Sequence, residues 1–203
     1  MNTNTKRTII LYPAIPCSYP SRLNPNPNLD ELSYLTDIVD SIHAALTESA
    51  KHTPFITIAK LTAPIENAIP QLDDLTQDTP PSSNLIIGVG LNASRPDDRY
   101  LTHHCWSIIN NPDCQSSDSL AASLTAAAIE TLGSYASSGK TQSPSQRYLN
   151  QTPILNNREM PAVLTLNLYQ DNRRDAAYLL SSVGRQAIID LHVKGILNYL
   201  EST

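Results

Sequence analysis

Apolar residues along the 203-residue chain fall into two patterns: short continuous runs, and longer stretches in which they recur every three or four positions. The first pattern is typical of buried strands and the second of amphipathic helices. The runs predict strands over residues 8–11, 55–59, 84–91, 104–109 and 162–168. The three- and four-residue spacing predicts helices over residues 30–50, 120–135 and 189–200, with one or two weak helical turns over 65–75.

Two polar segments separate these elements. Residues 13–28 hold five of the 15 prolines, and residues 137–159 lack an apolar stripe, so both are predicted to be loops and the main contact surfaces. Ser117 or Asp118 is expected to cap the helix that starts near residue 120. Alternating strands and helices predict a single three-layer α/β domain over residues 1–203, with a mostly parallel mixed sheet flanked by helices.

Charge and composition exclude several classes of partner. The chain carries 14 basic and 19 acidic residues, whereas a general nucleic-acid binder has a basic excess, so no nucleic-acid partner is expected. No apolar run approaches the ~18 residues of a membrane span. The N-terminus lacks the apolar core of a signal peptide, which predicts synthesis in the cytoplasm. The three cysteines cannot all pair, and whether Cys105 pairs with Cys114 stays open.

Two glycine-containing segments have partial matches to phosphate-binding motifs. Residues 88–93 fit G-x-G-x-x-A after a predicted strand, but the helix that must follow a dinucleotide site is missing, because Pro96 and polar residues come next. The glycines at 88 and 90 are therefore expected to allow close backbone packing. Residues 133–141 have five residues between their glycines where a P-loop has four, so that match is attributed to chance.

Metal-ligand residue types occur together at His103, His104 and Cys105, with Cys114 nine residues further on. Successive side chains of a strand point to opposite faces, so the two histidines cannot easily reach one ion. These residues are expected to be ordinary surface or core side chains.

The C-terminal part of the chain has a distinctive pattern: MPAVLTLNLY at 160–169, DAAYLL at 175–180 and GILNYL at 195–200. It resembles the zinc-dependent N-acetylmuramoyl-L-alanine amidases of bacteria and phages. Those domains end in a strand M-P-A-V-L-V-E-x-G-F, a polar turn, a short leucine-rich helix and a helix reading G-I-x-x-Y-L. The resemblance implies a single α/β domain with a zinc cleft at one end of a mixed sheet.

The resemblance also identifies the residues at each cleft position. The first zinc-binding histidine of the family, in I-D-P-G-H-G, matches Ile15, and the glutamate ligand matches Asp30 or Glu31. The histidine of S-I-H-A-N-A falls on Gly90, and the catalytic glutamate of P-A-V-L-V-E falls on Leu166. The cleft positions are therefore Ile15, Asp30, Glu31, Gly90, Asn92 and Leu166.

These residue types change the expected function. A hydrolytic zinc centre needs about three protein ligands and an open water position, and a leucine cannot transfer a proton. The resemblance thus implies an inactive amidase-like domain, with no catalytic residue, metal or cofactor, that serves as a binding or structural module. The expected partners are proteins or further copies of the chain, as in a phage particle or injection machine, or peptidoglycan that is bound without being cleaved.

An active zinc-dependent peptidoglycan amidase with displaced ligands is the alternative. Its ligands would come from His103, His104 and the carboxylates at 30–31, and Glu159 would act as the displaced base. A nucleotide-binding α/β protein is a further, less favoured hypothesis.

Overall fold

The computed structural model describes residues 6–15, 28–62, 68–93, 105–111, 114–136, 155 and 160–203, together with the backbone of 141–142. The strands are β1 (Arg7–Pro13), β2 (Ile56–Lys60), β3 (Leu85–Asn92), β4 (Ser107–Asn110), β5 (Thr141–Gln142) and β6 (Ala162–Tyr169). The helices are α1 (Glu31–Ser49), α2 (Ala68–Thr76), α3 (Gln115–Leu132), α4 (Arg173–Leu180) and α5 (Ser182–Ser202). Short 3₁₀ turns lie at Pro81–Ser83 and Gly133–Tyr135.

The strands form one six-stranded sheet in the order β2-β1-β3-β6-β4-β5. Strands β1, β2, β3 and β6 are parallel, whereas β4 runs antiparallel to β6 and parallel to β5. Every residue of β3 is buried, as expected of a central parallel strand covered on both faces. The predicted mostly parallel mixed sheet is confirmed.

Two apolar layers cover the faces of the sheet. The first layer packs α1, α3, α4 and α5 against one face, and the second packs α2 against the other. Helix residues of the first layer include Leu35, Ile38, Ile42, Leu120, Leu124, Ala128, Ile188, Leu191 and Ile196. The second layer includes Ile10, Tyr12, Leu61, Leu72, Ile86, Leu155, Leu164 and Leu166. The predicted three-layer α/β architecture is therefore confirmed. Among the helices described here, none combines the length and hydropathy that a membrane crossing requires.

The start of α1 agrees with the prediction, but the start of α3 does not. Asp30 caps α1 by accepting the Ser33 N–H at 2.8 Å. The predicted cap of α3 at Ser117 or Asp118 is wrong, because the helix begins at Gln115. Ser117 Oγ instead accepts the N–H of Ala162 at the start of β6. Asp118 accepts a hydrogen bond from Asn110 Nδ2, so both polar side chains join α3 to the sheet.

The prediction of a loop over 137–159 is wrong at one point. The two residues of β5 pair with Ile108 and Ile109 of β4, and a strand of two residues is too short to leave a periodic pattern. Leu155 is fully buried; the rest of 137–159, like 16–27 of the first predicted loop, lies outside the described residues.

Candidate functional site

The carboxyl ends of β1, β3 and β6 meet at one edge of the sheet and bring three of the predicted cleft positions together. Gly90 and Leu166 are direct neighbours in the register of β3 and β6. The chain leaving β1 stays beside them, since the Ala14 N–H donates to Val89 O at 2.8 Å. Ile15 follows at the same end and packs against the first apolar layer.

The carboxylate of Glu31 reaches this end of the sheet from the first turn of α1. Gln170, which follows β6, donates its backbone N–H to Asn92 O at 2.9 Å and makes a side-chain hydrogen bond with Glu31. The carboxylate of Asp30 is engaged in capping α1. Of the two acidic candidates, Glu31 is therefore the one whose carboxylate joins the other cleft positions.

Glu31 is half-buried, and its Oε1 atom is buried without accepting a hydrogen bond from any described residue. Burial raises the pKa of Glu31, because the charged form loses hydration, and the nearby charge of Asp30 raises it further. The hydrogen bond from Gln170 acts in the opposite direction. Glu31 is thus a carboxyl group with one unused acceptor atom.

Two of the other predicted positions, Gly90 and Leu166, are closed by packing. The Leu166 side chain is buried in the second apolar layer. At Gly90 a Cβ atom would lie 2.8 Å from Ala14 O, too close for any side chain without a backbone shift. At Gly88 it would lie 2.6 Å from the Tyr12 ring. The close packing expected of this glycine pair is therefore confirmed.

This donor set does not fit a catalytic zinc ion, which takes about three nitrogen, sulfur or carboxylate ligands. Ile15, Gly90 and Leu166 have no donor atom in their side chains, and Asn92 Nδ2 donates to Ser107 Oγ at 3.3 Å. Within the described ranges no group of three or more His, Cys, Asp or Glu side chains could hold a metal ion. His103, His104 and Glu159 lie outside those ranges.

A chain of buried polar groups lies beneath the site, and sequence reasoning missed it. Trp106 Nε1 donates to Asn167 Oδ1 at 3.0 Å, and Asn167 Nδ2 donates to Gly90 O at 3.0 Å and to Thr165 Oγ1 at 3.1 Å. Thr165 in turn contacts His192 Nε2 at 2.8 Å. The only signal in the sequence is that Thr165 and Asn167 interrupt the leucines of β6 on alternate positions.

His192 ends this polar chain inside α5. Its Nδ1 lies 2.7 Å from Ile188 O, which can only accept, so Nδ1 carries the proton and Nε2 is an acceptor facing the Thr165 hydroxyl. That hydroxyl has a second acceptor in Gly88 O at 3.1 Å. Burial lowers the pKa of His192 to about 4, and the bond to Ile188 opposes this only in part. The ring is neutral at pH 7, and both of its nitrogens have partners.

The end of β6 carries a backbone feature that supports the correspondence with the amidase pattern. Leu168 has φ 66°, in the left-handed region that favours glycine. In the pattern M-P-A-V-L-V-E-x-G-F the same position is a glycine. The strand ends where the Tyr169 N–H donates to Asp175 Oδ2 at 3.0 Å, which ties β6 to the first turn of α4.

The two cysteines whose pairing was left open flank β4. Cys105 precedes the strand and Cys114 follows it at the cap of α3. Both are half-buried, and no disulfide joins them to each other.

The fold is that of the N-acetylmuramoyl-L-alanine amidases. The chain is similar to such an amidase from Clostridium difficile 630, with TM-score 0.70, 12% identity, and coverage of 98% of this chain and 99% of that chain. It is also similar to the catalytic domain of the amidase CwlV from Bacillus (Paenibacillus) polymyxa, with TM-score 0.69, 12% identity and coverage of 97% and 99%. A third similar structure is the CwlD amidase from Clostridioides difficile in complex with the GerS lipoprotein, with TM-score 0.62, 16% identity and coverage of 97% and 99%.

Similarity at this level of identity establishes the fold alone. No protein-family model matches the sequence, and no curated protein sequence matches it.

Proposed function

We propose that this chain is a non-catalytic amidase-fold domain that works by binding, as a structural or assembly module. The observation that carries the proposal is the set of residues at the end of the sheet. Ile15, Gly90 and Leu166 occupy the positions that hold two zinc ligands and the catalytic carboxylate in the amidase pattern. A fold retains its architecture when its site residues are replaced, but it does not retain the chemistry.

The chemistry of amide hydrolysis explains why this set of residues is unsuited to it. Zinc makes a nucleophile by lowering the pKa of bound water, and a nearby carboxylate moves the proton. Glu31 alone cannot hold the ion, and the buried Leu166 has no titratable group. The backbone contact between Ala14 and Gly90 also opposes a ligand side chain at position 90.

The proposed partners are proteins, including further copies of this chain, in an assembled particle that the cytoplasmic product enters. Peptidoglycan bound without cleavage is the second class of partner. The fold neighbours are N-acetylmuramoyl-L-alanine amidases, and one of them is in complex with a lipoprotein, which supports both classes as candidates.

Metal analysis and a release assay on one purified sample test the proposal. Elemental mass spectrometry is expected to find far less than one equivalent of zinc, and the protein is expected to release no peptide from peptidoglycan. The Glu31→Gln variant, which keeps the size of the side chain and removes its charge, is expected to behave identically in both assays.

The alternative, an active amidase, rests on the unused Oε1 of Glu31. One equivalent of zinc with peptide release, both lost in Glu31→Gln, would overturn the proposal in favour of the alternative. Co-sedimentation of the chain with insoluble peptidoglycan then separates the two partner classes, since a protein-assembly module is expected to stay in the supernatant.

A further inference from the structure

The outer edge of β2 presents backbone groups with which no described strand pairs. In the part of the chain that the structure describes, β2 is the terminal strand of the sheet and pairs with β1 alone. The Arg7 N–H donates to Phe55 O at 2.8 Å, and the Leu61 N–H donates to Leu11 O at 2.9 Å. Odd-numbered residues therefore direct their backbone groups toward β1. Because the direction alternates along a strand, the outward residues are Ile56, Ile58 and Lys60.

Few of these outward groups have a partner among the described residues. The Ile56 N–H donates to Thr53 O at 3.1 Å. For the N–H groups of Ile58 and Lys60 and the three outward carbonyls, the described residues supply no partner. Edges of this kind are commonly protected by proline, a bulge or a free lysine. Here β2 has neither proline nor bulge, and the Lys60 ammonium is paired with Asp40 of its own chain.

We propose that this edge pairs with β2 of a second copy, antiparallel, about a twofold axis at Ile58. The outward N–H groups of one copy lie opposite outward carbonyl groups of the other copy about that point. Each Ile58 N–H donates to the Ile58 carbonyl of the other copy, and each Lys60 N–H donates to the Ile56 carbonyl of the other copy. The two six-stranded sheets then form one continuous sheet. A twofold, isologous contact of this kind closes on itself and yields a dimer.

The side chains at the edge agree with this arrangement. Ile56 and Ile58 are half-buried and pack at the margin of the first apolar layer. Across the proposed axis Ile58 meets Ile58 of the other copy, which removes its remaining apolar surface from water. Ile56 lies opposite Lys60 of the other copy. Phe55, 37% exposed at the start of the strand, lies beside the same edge. The inference does not depend on whether the cleft is catalytic, because the cleft is built from β1, β3, β6 and α1.

Sedimentation velocity over a wide concentration range tests the proposal. The chain is expected to dimerise reversibly, and Ile58→Lys is expected to remove the dimer, because position 58 faces itself and two like charges would meet. Ile58→Val is the matched control and is expected to dimerise like the original chain. A chain that stays monomeric at every concentration, or a lysine variant that dimerises unchanged, overturns the proposal.

Cysteine crosslinking tests the register and does not rely on the stability of the lysine variant. Ile58→Cys is expected to give a disulfide-linked dimer on mild oxidation, because residues that face each other across an antiparallel pair lie within disulfide reach. Ile56→Cys faces Lys60 and is expected to give no more crosslink than the original chain with its own cysteines. Equal crosslinking at positions 56 and 58 overturns the twofold register.

Discussion

Burial, not a lack of hydrogen-bond partners, keeps the core histidine His192 neutral. Its two ring nitrogens contact the Thr165 hydroxyl and the Ile188 carbonyl. The Thr165 hydroxyl can also donate to Gly88 O, 3.1 Å away, and would then accept from a second ring proton. That proton would place a charge in an apolar layer, and the loss of hydration is what opposes it.

Stability is expected to fall with acid because of His192. In the unfolded chain a histidine takes up its proton near pH 6.5, whereas the folded pKa is about 4, so the unfolded state binds more protons between these values. Protonation of His192 should lower the free energy of unfolding by about 3 kcal/mol as the pH falls through that window. Urea denaturation at a series of pH values measures the slope.

His192→Gln removes this titration and is expected to flatten the slope between pH 6.5 and 4, whatever it does to stability at pH 7. Asn198→Ala, at an exposed position of the same helix with no titratable group, is the control and should leave the slope as it is. A slope that survives in His192→Gln would show that other groups cause the acid sensitivity.

Backbone strain at Leu168 predicts that a glycine variant is more stable than an alanine variant, the reverse of the usual order. In ordinary strands and helices glycine is less stable than alanine by ~0.5–1 kcal/mol. At φ 66° an L-residue is disfavoured by ~1–2 kcal/mol, which glycine avoids. Leu168→Gly and Leu168→Ala both empty a buried site, so each should be destabilising by ~2–5 kcal/mol.

Leu168→Gly is nevertheless expected to be the more stable of the two variants by about 1 kcal/mol, as judged by chemical denaturation. If Leu168→Ala is the more stable, the left-handed conformation at this position is not the one the chain adopts.

Helices α3 and α5 approach each other closely at Gly195. A Cβ atom there would lie 2.9 Å from Leu124 Cα and 2.7 Å from Leu124 Cδ2, so the backbones almost touch. The contact is reinforced where Ser123 Oγ donates to Gly195 O at 2.9 Å. Glycine lowers the intrinsic stability of a helix, but at position 195 it allows the close packing of α3 and α5.

Gly195→Ala is expected to be destabilising by ~1–2 kcal/mol, because overpacking against a neighbouring backbone outweighs the better helix propensity of alanine. Asn198→Ala, on the exposed side of the same helix, serves as the matched variant and should leave the thermal midpoint unchanged or slightly raised. A more stable Gly195→Ala would mean that α3 and α5 are further apart than described.

Elements with long periodic patterns could be predicted from the sequence, and short or locally capped ones could not. The apolar stripe of α1 and the apolar runs of β3 and β6 were sufficient to predict these elements, because the burial of many side chains determines where they form. The start of α3 was misplaced because Ser117 and Asp118 form tertiary hydrogen bonds, which override a local capping preference. The two-residue β5 exists only through its partner strand.

Some residues of the candidate site could likewise be predicted from the sequence, and others could not. The aligned motifs predict Gly90 and Leu166 as cleft positions, and the register places these two residues side by side. The choice between Asp30 and Glu31 needed the helix cap, which the sequence left open. The link from Asn167 to His192 joins residues from two elements, so no local pattern could reveal it.

For the molecule as a whole, the proposed loss of the metal centre has a thermodynamic consequence. A ligand that binds the folded state alone raises the unfolding midpoint with its concentration, and structural or catalytic zinc does so strongly. The midpoint of this chain is expected to be the same with a chelator and with a stoichiometric excess of zinc. Differential scanning calorimetry measures it. A midpoint that rises with zinc in the original chain and not in Glu31→Gln would contradict the proposal.

The buried Trp106 makes the fluorescence of this protein a probe of its core. It is the chain's single tryptophan, it is fully buried, and its indole N–H is bonded to Asn167 at the far end of the polar chain from His192. Light absorbed selectively by tryptophan is therefore emitted from one known site. A shift of that emission toward longer wavelength reports water entering this part of the core. Circular dichroism follows the helices, so comparison of the two signals shows whether the interior loosens before the secondary structure does.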